Sequence, residues 1–145
     1  MTSLFSIVKK IDDYYSTHEQ VKKVGFDFIE QLENFATVNE KYPIVFISPV
    51  SSSLGNDVNS FSLEVRCYDV IQKDRDNLLT ILSDTHSILN DLSLYGNLGD
   101  DNSIDVSNVS LSPVNNAELD YCAGWIMSID FEVASYCVDD APNDL

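Results

Sequence analysis

From residue 76 onward this chain has no lysine and no arginine. All eight bases (Lys9, Lys10, Lys22, Lys23, Lys41, Arg66, Lys73 and Arg75) lie before residue 76, and 13 of the 24 acids lie from Asp76 onward. The formal net charge is −16, and the first 75 residues carry only −3 of it, with eight bases against eleven acids. Such a chain is a poor ligand for a nucleic-acid backbone, which calls for the opposite sign. Cysteine is scarce too. Cys67, Cys122 and Cys137 are odd in number and none forms a Cys-x-x-Cys pair, which supports neither a disulfide framework nor a zinc site. No apolar run approaches the ~20 residues that a membrane helix needs. The N-terminus, "MTSLFSIVKKIDDYYS", lacks the basic-then-apolar order of a signal peptide. A cytoplasmic origin without membrane attachment is the resulting expectation.

The signatures of chemistry are missing as well. There is no glycine-rich phosphate loop and no Gly-x-Ser-x-Gly elbow. Asp100, Asp101 and Asp105 suggest a calcium loop. Read from Asp101, however, the sixth position is Val106 rather than Gly and the twelfth is Ser112 rather than Glu, which excludes an EF-hand. The two histidines, His18 and His86, are far apart, and His86 falls mid-helix as a packing or surface residue. The chain reads as a non-enzyme with no catalytic residue, no cofactor and no metal site.

What is present is pattern. At 145 residues, 44% of them hydrophobic, one domain with a real core is expected over residues 1–137, followed by a disordered acidic tail over 138–145. Leu4, Ile7, Val8, Ile11 and Tyr15 recur at helical spacing, and Ser3 is a plausible cap. Val24, Phe26 and Phe28 alternate as in a strand, while Phe28, Ile29, Leu32 and Phe35 also fit a helix; a short strand or extended arm near 23–29 is the expectation, and "ENFATVNEKY" reads as a loop or short helical turn. "YPIVFISPV" is a nearly continuous apolar run between prolines, as in a strand buried on both faces. "SSSLGNDVNS" is small, polar and glycine-bearing, which predicts a long mobile loop at a hairpin tip. "SFSLEVRCYDV" then alternates, with Phe61, Leu63, Val65 and Cys67 inward and Ser62, Glu64 and Arg66 outward.

"KDRDNLLTILSDTHSILNDLSLYGN" is the clearest helix. Asp74 or Asp76 would cap it, Leu78, Ile81, Leu82, Thr85, Ile88, Leu89 and Leu92 form its stripe, and Gly96 ends it. "GNLGDDNSID" is a turn, "NNAELDY" a loop, and between them lies a strand in which Val106 and Asn108 alternate with Ser107 and Val109. The last strand, "CAGWIMSIDFEV", puts Ala123, Trp125, Met127, Ile129, Phe131 and Val133 on one face. Its other face holds Cys122, Gly124, Ile126, Ser128, Asp130 and Glu132. Strand pairs with helices between them predict an α+β fold: an antiparallel or mixed sheet of four to five strands with helices packed on one face.

The order "YPIVFISP", "FSLEVRCYDVIQKDRDN", "ILSDTHSILNDL" and "DYCAGWIMSIDFEV", over roughly residues 1 to 135, resembles the tail-completion and tail-terminator-like neck proteins of tailed bacteriophages. Versions from crAss-like phages and related prophages of Bacteroidetes are the most similar. Each motif is weak alone; their joint order and spacing carry the resemblance. It implies a structural virion subunit, made in the host cytoplasm, that closes into a homo-oligomeric ring at the head–tail junction. Such a ring touches connector, tail or neighbouring ring proteins and lets the genome pass without sequence-specific binding. No catalytic residues come with it. In that setting Asp100, Asp101, Asp105, Asp130 and Glu132 are expected to repel the passing duplex. Ser52, Ser53, Leu54, Gly55 and Asn56 are the expected assembly loop, ordering on contact. The rival reading is an acidic DNA mimic that blocks a host nuclease or DNA-binding protein. It requires carboxylates spaced like phosphates along one exposed face, and the scatter of these acids disfavours it.

Overall fold

A computed structural model describes residues 4–32, 35–36, 42–72, 74–94, 104–115 and 122–134. The order is α1 (Leu4–Ser16), β1 (Lys23–Phe26), a 3-10 turn (Ile29–Gln31), β2 (Ile44–Leu54), β3 (Val58–Val70), α2 (Leu78–Leu94), β4 (Ile104–Asn115) and β5 (Cys122–Ala134). One five-stranded mixed sheet runs β1-β2-β3-β5-β4, with β1 parallel to β2 and every other pair antiparallel. The α+β architecture, with both helices on one face, is the one the patterns predict.

The helix-covered face holds the main core. Ile7, Ile11 and Tyr15 of α1 and Ile88, Leu89 and Leu92 of α2 meet Val45, Ile47, Leu63, Val65, Met127, Ile129 and Phe131 of the sheet, all fully buried or nearly so. The helical stripes had to face this way, because a helix covers apolar area only along the residues that recur every third or fourth position. Tyr15 enters the core by donating its hydroxyl to the Ile88 carbonyl at 3.2 Å. Burial, with the thiol of Cys67 and Asp91 nearby, pushes its ionisation well above the ordinary tyrosine range.

Among the described residues, the opposite face is covered at one end. Leu32 and Ala36 pack there on Ile44, Phe46, Tyr68 and Cys122, flanked by Ile29, Phe35 and Tyr42. This explains the run Ile44–Ile47: its residues alternate between two cores, so no polar position is left. Cys122 and Gly124 are buried for the same reason. Gly124 also has no room for a side chain, since a Cβ would collide with the Cys67 carbonyl.

Several expectations need correction. β1 stops at Phe26. Asp27 N–H donates to the Ile47 carbonyl and Asp27 Oδ1 accepts from Phe28 N–H, which turns the chain into the 3-10 turn and leaves Phe28 exposed. Pro49 does not end β2. The strand bulges between Pro49 and Ser51 and resumes, pairing Ser51 to Leu54 with Ser62 to Asn59. Ser52, Ser53 and Leu54 are therefore strand residues, and only Gly55 to Asp57 make the tip.

Neither Asp74 nor Asp76 caps α2. The Asn77 carbonyl accepts from Ile81 N–H, which puts Asn77 at the N-cap. Asp74 Oδ1 accepts instead from Asp76 N–H in a turn where Arg75 adopts φ 62°. In β4 a bulge between Val106 and Asn108 resets the alternation. Asn108 pairs with Asp130 and Val109 with Ile129, so Val106 and Val109 share the core face and Ser107 is the bulged residue. Arg66 is on the outward face as expected but is buried, 6% exposed. Gly96, the turn before β4, the loop before β5 and the 138–145 tail lie outside the described residues, as does Cys137.

Candidate functional site

The uncovered part of the second sheet face is the surface on which the expected acids converge. Across β3, β5 and β4 the register sets Ser62, Asp130 and Asn108 side by side, then Ser60, Glu132 and Asp105 one step nearer the hairpin tip. In the other direction lie Glu64, Ser128 and Ser110. These positions are small, polar or acidic because the pleat sends every second residue to this face and none of the described elements packs on it here.

Asp130 is the most organised of them. Ser62 Oγ donates to its Oδ1 at 2.7 Å and Asn108 Nδ2 to its Oδ2 at 3.4 Å, while Ser107 Oγ donates to its carbonyl at 3.3 Å. Both carboxylate oxygens thus have donors from neighbouring strands, which fixes the charge in the middle of the face. Glu132 is exposed. Arg66, the one base on these three strands, is fully engaged: Nη1 donates to Ser48 Oγ at 3.1 Å and Nη2 meets Glu64 Oε1 at 3.0 Å. Its charge is matched beneath the surface, so Asp130 and Glu132 set the sign of the open face.

Of the five acids singled out from the sequence, Asp130 and Glu132 share this face, and Asp105 stands at its β4 register position opposite Glu132. Asp100 and Asp101 lie outside the described residues. Of the assembly-loop residues, Ser52 donates its hydroxyl to the Ser60 carbonyl at 3.0 Å across the hairpin, and Leu54 is 83% exposed. Gly55 sits at the turn, where a Cβ would strike the Val58 carbonyl, and Asn56 is exposed.

Sequence reasoning missed two features. Trp125 reads as plain core, yet its Nε1 donates to the Leu82 carbonyl at 2.8 Å and its ring meets His86 edge-on at 5.0 Å, locking α2 to β5. The other is an exposed aromatic group at the β1 edge: Phe5, Phe26 and Phe28. The available signal was Phe5, a large apolar residue off the α1 stripe.

Two further titratable sites stand out among the described residues. His18 Nε2 contacts Asp91 Oδ2 at 3.0 Å and tethers the end of α1 to α2. Burial pushes the Cys67 thiol far up, which keeps it protonated. Among the described residues, no group of three or more His, Cys, Asp or Glu side chains could hold a metal, and no helix is long and apolar enough to cross a membrane. No protein-family model matches the chain, and no curated protein matches it.

Proposed function

We propose that the chain is a structural, non-enzymatic subunit of a tailed-phage neck. It forms a ring at the head–tail junction that joins connector and tail and lets the genome through. The observation that carries the reading is the open sheet face of β3, β5 and β4. That face is largely small and polar, carries the fixed carboxylate of Asp130 beside the exposed Glu132, and has its single base paired with Glu64 and hydrogen-bonded to Ser48. A wall of this chemistry beside a duplex repels phosphates and offers no cation to grip them. The order of the sequence motifs supplies the rest of the support.

The test is mass by light scattering, with negative-stain imaging, of the protein alone and mixed with connector and tail proteins. A ring with an open centre, alone or in the mixture, is the expected result. A chain that ignores those proteins and instead binds and inhibits a basic nuclease would replace this reading with the DNA-mimic one.

A further inference from the structure

The sheet has two free edges, and they differ. Among the described residues no strand pairs with the outer side of β1 or of β4. The β1 edge is short, four residues, and has a cleft on each side. On the helix side a cavity of about 350 Å³ is lined by Leu4, Phe5, Val8 and Phe26, with Lys9 and Asp12 at its rim. On the other side a cleft of about 300 Å³ is lined by Lys23, Asp27 and Gln31 together with Phe26, Phe35 and Phe46, around Gly25. A strand laid along β1 sends alternate side chains to the two sides. It therefore suits apolar residues on the helix side and, on the other, small polar residues that can meet Lys23, Asp27 and Gln31 beside the aromatic rings.

The β4 edge has that alternation. Val109 and Leu111 are on the helix side, only partly buried against the core. Asn108, Ser110 and Ser112 are exposed on the opposite side. The bulge before Asn108 and the proline at 113 leave a regular stretch of five residues, Asn108–Ser112, long enough to pair with all four of β1. The direction also fits. From β1, parallel to β2, three antiparallel steps lead to β4, so β4 runs opposite to β1. A neighbour's β1 placed beside β4 continues the sheet as an antiparallel pair with the helix sides aligned. Charge leans the same way: α1 and β1 hold three lysines against Asp12 and Asp13, of which Asp13 is paired with Lys9 at 3.0 Å, and Lys22 lies just before β1, whereas β4 and β5 hold three acids and no base.

We infer that the occupant of the β1 edge is β4 of a second copy of this chain, in a head-to-tail contact. Val109 and Leu111 enter the Phe5–Phe26 cleft, and Ser110 faces the Lys23 side. A repeated contact between unlike edges closes a ring when its rotation allows, whereas β4–β4 pairing gives only a two-fold dimer. The inference deepens the ring reading and rests on it for closure; the edge contact itself is tested without phage partners.

The experiment uses the full chain and two edge variants. One carries Phe5→Asp and Phe26→Asp, at positions 76% and 45% exposed. The other carries Ser110→Lys and Ser112→Lys, both exposed. Circular dichroism and melting check that each is folded, and Phe5→Asp alone serves if the first double variant is not. Sedimentation across a concentration series should show the wild type associating and each variant monomeric. An equal mixture of the two should give a species of twice the monomer mass and nothing larger, because only one good β1 edge meets one good β4 edge. Three results overturn the inference: a monomeric wild type at all concentrations, a folded variant that associates like wild type, or a mixture that stays monomeric. A wild type that is monomeric alone but enters rings with connector or tail proteins would overturn the edge contact and leave the neck reading standing.

Discussion

Phe131 and Glu132 are neighbours in β5 and live in different surroundings. Phe131 is fully buried under the helices, between Phe61 and Val106 in register; Glu132 is exposed on the open face beside Ser60. One peptide unit separates the part of the molecule that holds the fold together from the part that meets the outside. The helix side is dense and apolar and has little tolerance. The open side is set by charge and hydrogen bonding, and most of its positions are free to change without affecting the fold. A site that evolves for contact with DNA or another protein is best placed where changes cost little stability.

The sharpest way to break the comparison is to truncate on the covered side. Phe131→Ala should lose about 3–5 kcal/mol of stability in urea denaturation, through lost burial and the cavity left behind. A loss near zero would mean that the helices do not seal that face. Gly124→Ala comes next. It lies on the second face, at the covered end, where its new methyl would collide with the Cys67 carbonyl, and backbone cannot swing aside as a side chain can. A loss of about 1–3 kcal/mol is expected from such overpacking, and an unchanged melting curve would show that β3 and β5 separate there easily. Glu132→Gln, on the open end of that same face, should stay within about 0.5 kcal/mol of wild type while removing one negative charge from the proposed wall.

The smallest effect expected is a pH dependence. Burial, chiefly, raises the Asp69 carboxyl above its ordinary range, against the Val70 N–H bond that favours the charged form; Asp84 adds to the rise. The folded state therefore binds this proton more readily than the unfolded chain does. Stability from this site is greatest at low pH and falls as pH rises from the ordinary carboxylate range through the raised folded value. Asp69→Asn should flatten that segment of the stability curve without loss at neutral pH. A wild-type curve that rises through the same window with Asp69 as its source would contradict the assignment.

The elements were legible where the physics is local. The α1 and α2 stripes, the doubly buried run at Ile44–Ile47 and the alternation of β5 follow from side-chain period and burial, and the structure bears them out. Bulges were not legible. The one at Pro49–Ser51 turns a serine-rich stretch into strand, and the one at Val106–Asn108 shifts β4 by one residue; both are decided by pairing with a partner strand. The same holds for Arg66. Its sequence position gives its face, but its burial depends on Ser48 and Glu64 arriving from β2 and β3.

By itself, then, the sequence determined the α+β class, the two helical stripes, the apolar face of β5 and the segregation of bases to the first 75 residues. Each is a property of residue order, read over one or two turns or a few alternations. Only the tertiary structure decided that β1 lies parallel at one edge and that Asp130 is held by donors from two other strands. It also decided that Phe5 and Phe26, far apart on the chain and unremarkable there, line one cleft at a free edge. Those facts rest on contacts between distant segments, and the energy of such contacts is defined only once the chain has closed on itself.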